Sequence, residues 1–151
     1  MKSQKYECKE AFKDIPLDNI EKYIEIPENA KNKKDCIKKL AKAIYEKLDI
    51  LRSVYEDVLN PDIGDLAISH EIRGININIQ TLWKVYKKLL KCQRMYELAT
   101  VLNDEKLYIE FIKIANDSIE DFVKNASHIL KQKIEFWDKE IEYRRPKEYL
   151  G

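Results

Sequence analysis

The most regular pattern of apolar positions lies between Asp65 and Thr100. Apolar side chains recur there at alternating steps of four and three residues, which is the spacing of one buried face of an α-helix. The members of this row are Ile68, Ile72, Ile75, Ile79, Leu82, Tyr86 and Leu89. The pattern predicts one long amphipathic helix over residues 65–100, against which the other elements pack.

The segment from Gly74 to Ile79 fits two kinds of backbone. Its isoleucines occupy every second position, and that alternation of β-branched residues is typical of a strand. The four-three spacing nevertheless continues on both sides, and no other segment supplies a partner for the backbone donors and acceptors of an isolated strand. We therefore expect residues 75–79 to be helical, with a strand as the alternative.

A first helix precedes this one, from just after Pro27 to about Leu59. Its apolar positions form a stripe wide enough to face a core. They are Ile37, Leu40, Ala41, Ile44, Leu48, Leu51, Val54, Tyr55 and Val58. Proline and glycine between Asn60 and Asp65 end the helix. So short a connection predicts that the first two helices are antiparallel neighbours.

A third helix begins at Asn103 or Asp104 and continues almost to Arg144, and Pro146 is expected to end it. Its apolar positions are Ile112, Ala115, Ile119, Phe122, Ala126, Ile129, Leu130, Ile134, Trp137 and Ile141. An unbroken helix of that length would extend for about 60 Å, which is more than a compact domain can cover. We therefore expect a break at residues 116–118. After it the helix either bends or projects over residues 118–144 as an oligomerisation helix.

Residues 1–30 are the least regular part of the chain. Pro16 and Pro27 bracket a short apolar segment that could form a helix capped by Asp18. We expect a strap packed across the bundle, with a partner-docking arm as the alternative. Residues 1–151 are thus expected to form a single all-α domain. It is a helical bundle of three main helices, an antiparallel hairpin plus a long, broken C-terminal helix, with an N-terminal strap.

Composition narrows the class of protein. An apolar fraction of 44% and a charged fraction of 36% are typical of a globular domain rather than a disordered tail. No apolar run approaches the roughly 20 residues that span a bilayer, and the start of the chain lacks the apolar stretch of a signal peptide. We expect a cytoplasmic protein with no membrane partner. Cys8, Cys36 and Cys92 are widely spaced and odd in number, so we expect reduced thiols rather than disulfides.

The motifs of common enzymes do not occur in this sequence. His70 and His128 are the only histidines, and neither lies in a catalytic frame. The chain has no HExxH, no CxxC, no glycine-rich phosphate loop and no GxSxG. We expect a protein that is not an enzyme and that has no catalytic residues, no metal and no cofactor.

The charges are sorted along the chain although the net charge is only +1. Basic residues group at the start of the first helix and in the second half of the second. The candidates for nucleic-acid contact are Lys34, Lys38, Lys42, Lys84, Lys87, Lys88, Lys91 and Arg94. Antiparallel pairing is expected to bring the two groups together as a positive pole, with the acidic residues at the opposite end of the hairpin.

Such a pole predicts contacts with a phosphate backbone. Lysine is a point charge that suits phosphates better than base edges, so binding to double-stranded DNA would be sequence-nonspecific. The alternative is a solvated surface that only maintains solubility. Trp83 and Tyr86 lie next to the basic residues of the second helix. Their rings either stack on bases or belong to the core.

An apolar group near the end of the third helix predicts contact between subunits. Phe136, Trp137 and Ile141 are difficult to bury within one protomer, and exposed apolar patches commonly mark interfaces. We expect a homo-oligomer that uses these three residues.

Several residues resemble the central helix of the small terminase subunits of tailed bacteriophages. They are Asn60-Pro61-Asp62, Asp65-Leu66-Ala67, Glu71-Ile72, Ile79 and Leu82. In that family a proline turn and an Asp-Leu start lead into a long helix, and the similarity of pattern covers residues 28–130. The chain departs from many members because it has no clear helix-turn-helix near its N-terminus, which puts specific recognition of a packaging site in doubt.

The resemblance implies a non-enzymatic, ring-forming, all-helical protein. Such a protein would engage viral DNA in the host cytoplasm and hand it to a larger motor protein. The function expected from the sequence is thus an oligomeric DNA-associated protein that contacts the nucleic-acid backbone through its lysine-rich pole. The alternative is a helical adaptor or scaffold between proteins, with no nucleic-acid activity and with some other effector protein as its partner.

Overall fold

The computed structural model describes residues 5–150, with side chains described for residues 5–139. The elements are β1 (Tyr6–Glu7), α1 (Cys8–Phe12), β2 (Asn29–Ala30), α2 (Lys33–Leu59), α3 (Leu66–Glu71), α4 (Ile79–Leu102) and α5 (Glu105–Leu150). The two short strands pair antiparallel, with Tyr6 opposite Ala30. The expected all-α class is confirmed, since helix dominates the described chain and three of its helices are long.

The core lies between α2, α4 and α5. The apolar stripe predicted for the first helix is buried at Ile37, Ile44, Leu51 and Val58. It packs on the buried row of α5, whose members include Phe111, Ile112, Ala115, Ile119, Phe122, Ala126 and Ile129. The fully buried Tyr55 donates its hydroxyl hydrogen bond to the carbonyl of Phe122. Hydrophobic periodicity therefore predicted the buried faces of α2 and of α5 up to Ile129, whereas Leu130 and Ile134, which were predicted in the same row of α5, are exposed.

Polar capping residues fix where the helices begin. Asn32 starts α2 by accepting a hydrogen bond from the amide of Asp35 at 2.9 Å. Asn103 ends α4 in the left-handed conformation, with φ of 50°. Directly after it, the carboxylate of Asp104 accepts hydrogen bonds from the first amides of α5. This two-residue turn makes α4 and α5 antiparallel neighbours.

The prediction of one long helix over residues 65–100 is wrong at residues 72–78. A 3₁₀ turn at Ile72–Gly74 follows α3, residues 75–78 are neither helix nor strand, and α4 starts at Ile79 with Asn78 as its cap. Asn76 pairs with the Gln132 side chain instead of a strand. Its amide donates to Oε1 at 2.7 Å, and its carbonyl accepts from Nε2 at 3.2 Å. The side-chain amide of Gln132 thus pairs with the N–H and C=O groups of Asn76, for which the sequence offered no partner strand.

The predicted break at residues 116–118 is also wrong, because α5 is continuous for 46 residues. Asn116 is 3% exposed, and its Oδ1 accepts from the amides of both Asn19 and Ile20 at 3.0 Å. Its Nδ2 donates to Asp18 at 2.9 Å, and its carbonyl accepts from the Asn19 side chain at 3.0 Å. Asn116 therefore holds the N-terminal strap rather than interrupting the helix.

The strap is confirmed as a segment packed on the bundle, with Ile20 fully buried. The short helix expected between Pro16 and Pro27 is only a 3₁₀ turn at Ile20–Lys22, and Asp18 binds Asn116 instead of capping it. At the other terminus, α5 continues past Pro146 to Leu150, so the expected end at this proline is wrong.

Cys8 and Cys36 form a disulfide, contrary to the expectation of reduced thiols. Both residues are fully buried, and the bond attaches α1 to the first turn of α2. A separation of 28 residues along the chain has no diagnostic pattern, which is why the spacing gave no indication of it. Cys92 is free, and burial raises the pKa of its thiol to about 12, so it is protonated at neutral pH.

Removing the disulfide should destabilise the chain substantially. Closing a loop of this size lowers the entropy of the unfolded state, which corresponds to about 3–4 kcal/mol in the free energy of unfolding. We expect urea denaturation with and without reductant to show that loss. The Cys8→Ser/Cys36→Ser double variant should resemble the reduced protein and should not respond to reductant. Equal midpoints for oxidised and reduced protein would contradict a stabilising role.

Asn116→Ala should destabilise the strap through the amides of Asn19 and Ile20, which lose their acceptor. An unsatisfied buried group costs about 1–3 kcal/mol, so we expect a loss of that order. Amide hydrogen exchange should speed up most at residues 17–24. Asn125→Ala is the matched control, because the Asn125 side chain bonds only a carbonyl of its own helix. Equal effects of the two variants would mean that Asn116 does not hold the strap.

Candidate functional site

The outer side of α4 carries a row of exposed basic residues, which we name the basic face. It consists of Lys84, Lys87, Lys88, Lys91 and Arg94, all of them exposed. The opposite side of α4 is buried at Leu82, Tyr86 and Leu89. Because the helix turns about 100° per residue, steps of three, one, three and three place the five cations within one third of its circumference. The basic face extends for about 15 Å along the axis.

Most of the charge on the basic face is not neutralised. Arg94 pairs with Glu97 at 2.8 Å. Among the side chains that the structure describes, Lys84, Lys87, Lys88 and Lys91 have no carboxylate within 4.0 Å. The basic face therefore presents four ammonium groups that are free to contact an external anion.

An aromatic side chain borders the basic face. Trp83 is 44% exposed, and its ring stacks on Tyr86 with centroids 5.4 Å apart. The ammonium of Lys87 lies 5.7 Å from the Trp83 ring centroid, within cation–π distance. Tyr86 itself belongs to the core, where it donates to Glu56 at 2.7 Å, and burial raises the pKa of its phenol. Only Trp83 is therefore available to stack on a ligand.

The two groups of lysines are offset along the antiparallel pair of α2 and α4, and they come nearest where Tyr45 of α2 donates to Glu97, the ion-pair partner of Arg94. Tyr86 of α4 bonds Glu56 near the end of α2, whereas Lys34 at the start of α2 donates to the carbonyl of Asn103 at 3.3 Å. The 22 residues between Lys34 and Glu56 correspond to about 33 Å along α2. The second helix was predicted to start at Asp65, whereas α4 starts at Ile79. The register in which α2 and α4 lie side by side therefore differs from the predicted one.

Lys34, at the start of α2, lies beside Asn103 and beyond the basic face, so the α2 lysines do not extend the row on α4. Lys34 and Lys38 are half-buried, and Lys42 is exposed. The acids expected at a negative pole are also dispersed. Glu56 lies beside Tyr86, and Asp49 lies 3.4 Å from the Gln93 side chain of α4. Acidic residues of α2 thus line the edge of α4 rather than forming a pole of their own.

A buried charge cluster attaches α3 to α5. Lys133 is 8% exposed, and its ammonium lies 3.3 Å from Asp57 and 3.7 Å from Glu71. The indole of Trp137 donates to the other oxygen of Glu71 at 2.8 Å. Removing one partner from such a cluster leaves an uncompensated charge, so its role is structural.

Phe136 and Trp137 were placed at a subunit interface because they were expected to be difficult to bury within one protomer. In the structure both contact residues of their own chain. A Cβ atom at Gly74 would lie 2.8 Å from Cδ2 of Phe136, so glycine is needed for this close approach. Both aromatic side chains are half-buried. The Ile141 side chain lies outside the described residues. A subunit contact through these residues stays a prediction.

The sequence argument missed an exposed apolar group on the same side of α4. Leu98, Val101 and Leu102 are 49%, 80% and 58% exposed. Steps of three and four place them in line with the basic face, one to two turns further along the helix. Their spacing is visible in the sequence, but the predicted buried row ended at Leu89 and these positions were assigned to neither side of the helix. We name these three residues the apolar patch.

No family model, curated protein or solved structure matches the chain. The resemblance to small terminase subunits stays a prediction, and the helix that follows Asp65-Leu66 has only six residues rather than being long. Within residues 5–150, no helix has the length and apolar content to cross a bilayer. The described residues also contain no group of three or more histidine, cysteine or acidic side chains that could hold a metal ion.

Proposed function

We propose that this chain is a non-enzymatic protein that binds the backbone of double-stranded DNA through the basic face of α4. The observation that carries the proposal is the row of four unpaired lysines on one exposed helical surface. Phosphates of one strand follow one another at about 3.4 Å along the axis of the duplex. A row of about 15 Å therefore matches about four of them.

The chemistry of the basic face favours contacts that do not depend on base sequence. Lysine predominates, and it lacks the planar fork with which arginine reads guanine. Trp83 adds a partly exposed ring that can contact sugars or an unpaired base. The expected binding is thus general for nucleic acid and sensitive to salt.

Four phosphate contacts per chain give only weak binding, which favours assembly. Several copies that present their basic faces to one duplex bind far more tightly than one copy does, because each further contact is intramolecular. A homo-oligomer that passes DNA to a larger protein, as the terminase-like resemblance implies, is consistent with this requirement. The disulfide weighs against the expected cytoplasmic location, because such bonds are rare in the cytosol.

Reversing two lysines tests the basic face. Lys87→Glu/Lys91→Glu should weaken binding to all DNA sequences alike and flatten the log–log dependence of affinity on salt by about two, since each phosphate contact contributes about 0.9. Fluorescence anisotropy with a labelled duplex at several salt concentrations measures both. Fold should be unchanged, because both side chains are exposed.

Lys124→Glu/Lys131→Glu is the matched control, with the same change of charge on the exposed surface of α5. It should retain most of the affinity and the salt slope. Equal losses in the two double variants would mean that only net charge matters. Absence of binding by the parent chain at low salt would contradict the proposal.

A second candidate function is a protein–protein adaptor, which the apolar patch favours. Leu98, Val101 and Leu102 expose contiguous apolar surface at the end of α4, and such surfaces commonly bind another protein. In this case the lysines would border the contact and select an acidic partner. The same surface could instead join copies of this chain.

Val101→Glu/Leu102→Glu tests the apolar patch. If the patch joins copies, the mass measured by analytical ultracentrifugation should fall to that of the monomer, because a buried charge opposes association. Helix content by circular dichroism should be unchanged, since both positions are exposed. Trp137→Phe serves as the comparison at the interface expected from the sequence. A larger fall in mass with Trp137→Phe would return the contact to the end of α5.

A further inference from the structure

An open cavity of about 820 Å³ lies in the N-terminal part of the molecule, away from α4. The side chains of Phe12, Ile15, Leu17 and Ile26 provide its apolar floor. Phe12 and Ile15 are at most 9% exposed, so the floor is continuous with the core. The volume falls within the range of about 300–1,000 Å³ that is usual for small-molecule sites.

Three independent anchors hold the walls of this cavity in place. The Cys8–Cys36 disulfide fixes α1 to α2. The Asn116 side chain fixes residues 18–20 to α5. The amide of Cys8 donates to the carbonyl of Glu28 at 2.9 Å, next to the pairing of β1 with β2. The cavity is therefore formed before any ligand arrives, which reduces the ordering cost of binding.

The charges at the rim are unequal. Four carboxylates, those of Glu7, Asp18, Glu21 and Glu28, line the cavity. Only two ammonium groups, from Lys9 and Lys13, lie among them, and Lys13 is 3.9 Å from Glu10. The hydrogen bond from Asn116 lowers the pKa of Asp18, so that carboxylate stays ionised near neutral pH. An apolar floor thus lies below a rim with an excess of negative charge.

We propose that this cavity binds a small organic cation with an apolar body. The alkyl or aromatic part of the ligand covers Phe12, Ile15 and Leu17, which removes apolar area from water. The ammonium group stays at the rim near Glu21 and Glu28, where it remains partly hydrated and is attracted by the excess of carboxylates. The proposal does not depend on the function of α4, because the cavity and the basic face share no residue.

Two probes that differ only in the charge of the head group test the charge preference. Hexyltrimethylammonium and hexanesulfonate carry the same apolar chain. Titration followed by amide chemical shifts should show saturable binding of the cation, with shifts centred on residues 12–29. We expect the anion to bind at least about five-fold more weakly, in keeping with charge selection at a partly solvated rim. No saturable shift, or equal affinities for the two probes, would overturn the proposal.

Two variants separate the rim from the floor. Glu21→Lys/Glu28→Lys should reverse the order of the two probes, and both positions are exposed, so folding should be unaffected. Glu110→Lys/Asp117→Lys on the exposed side of α5 is the matched control and should preserve the preference for the cation. Leu17→Trp, at a half-buried position, should fill the floor and abolish binding of both probes. The proposed site would be contradicted if Glu21→Lys/Glu28→Lys still bound the cation more tightly than the anion. It would also be contradicted if a folded Leu17→Trp protein still bound either probe.

Discussion

The continuity of α5 across residues 116–132 is the constraint on which the other elements depend. Because this part of the chain is a single helix, it presents side chains at fixed intervals along one axis. Asn116 holds the strap, Phe122 receives the hydroxyl of Tyr55 from α2, and Gln132 holds the extended residues before α4. A bend at residues 116–118 would move these three attachment points relative to one another, so the continuity of α5 sets the geometry of both candidate sites.

The two proposed sites use opposite electrostatics on separate parts of one scaffold. The basic face is an exposed helical surface, which suits an extended anionic partner. The N-terminal cavity is concave and has an excess of carboxylates at its rim, which suits a small cation. The nearly neutral net charge averages over both regions and over the rest of the chain. Net charge alone was therefore a poor guide to what either surface can bind.

Local periodicity predicted the core of the bundle well, and contacts between distant residues account for most of what it missed. The buried stripe of α2, the row of α5 up to Ile129, and Leu82, Tyr86 and Leu89 of α4 follow from helical spacing alone, whereas Ile79 was predicted in the same row and is 52% exposed. The backbone of Asn76 is satisfied by Gln132, which is 56 residues away and is invisible to a local pattern. A break was expected at residues 116–118 because Ser118, with Asp121 three residues on, resembles a capping pair. Asn116 instead bonds the strap, with partners about 97 residues distant. The residues of the basic face were predicted one by one. Their position relative to α2 could not be predicted without knowing that α4 starts at Ile79.

The segment between α2 and α4 has a further consequence for dynamics. Its helix α3 contains no buried residue, and the segment is attached to α5 by the polar contacts of Gln132, Lys133 and Trp137 and by the packing of Phe136 on Gly74. Because the segment buries less apolar area than the bundle, we expect it to open locally without global unfolding. The last residue of the segment, Asn78, caps α4. Each opening therefore removes the cap from the first turn of α4, the turn that directly precedes Trp83 and Lys84. A ligand that needs that turn in place binds only the closed form, and by linkage it lowers the population of the open form of a segment that it does not touch.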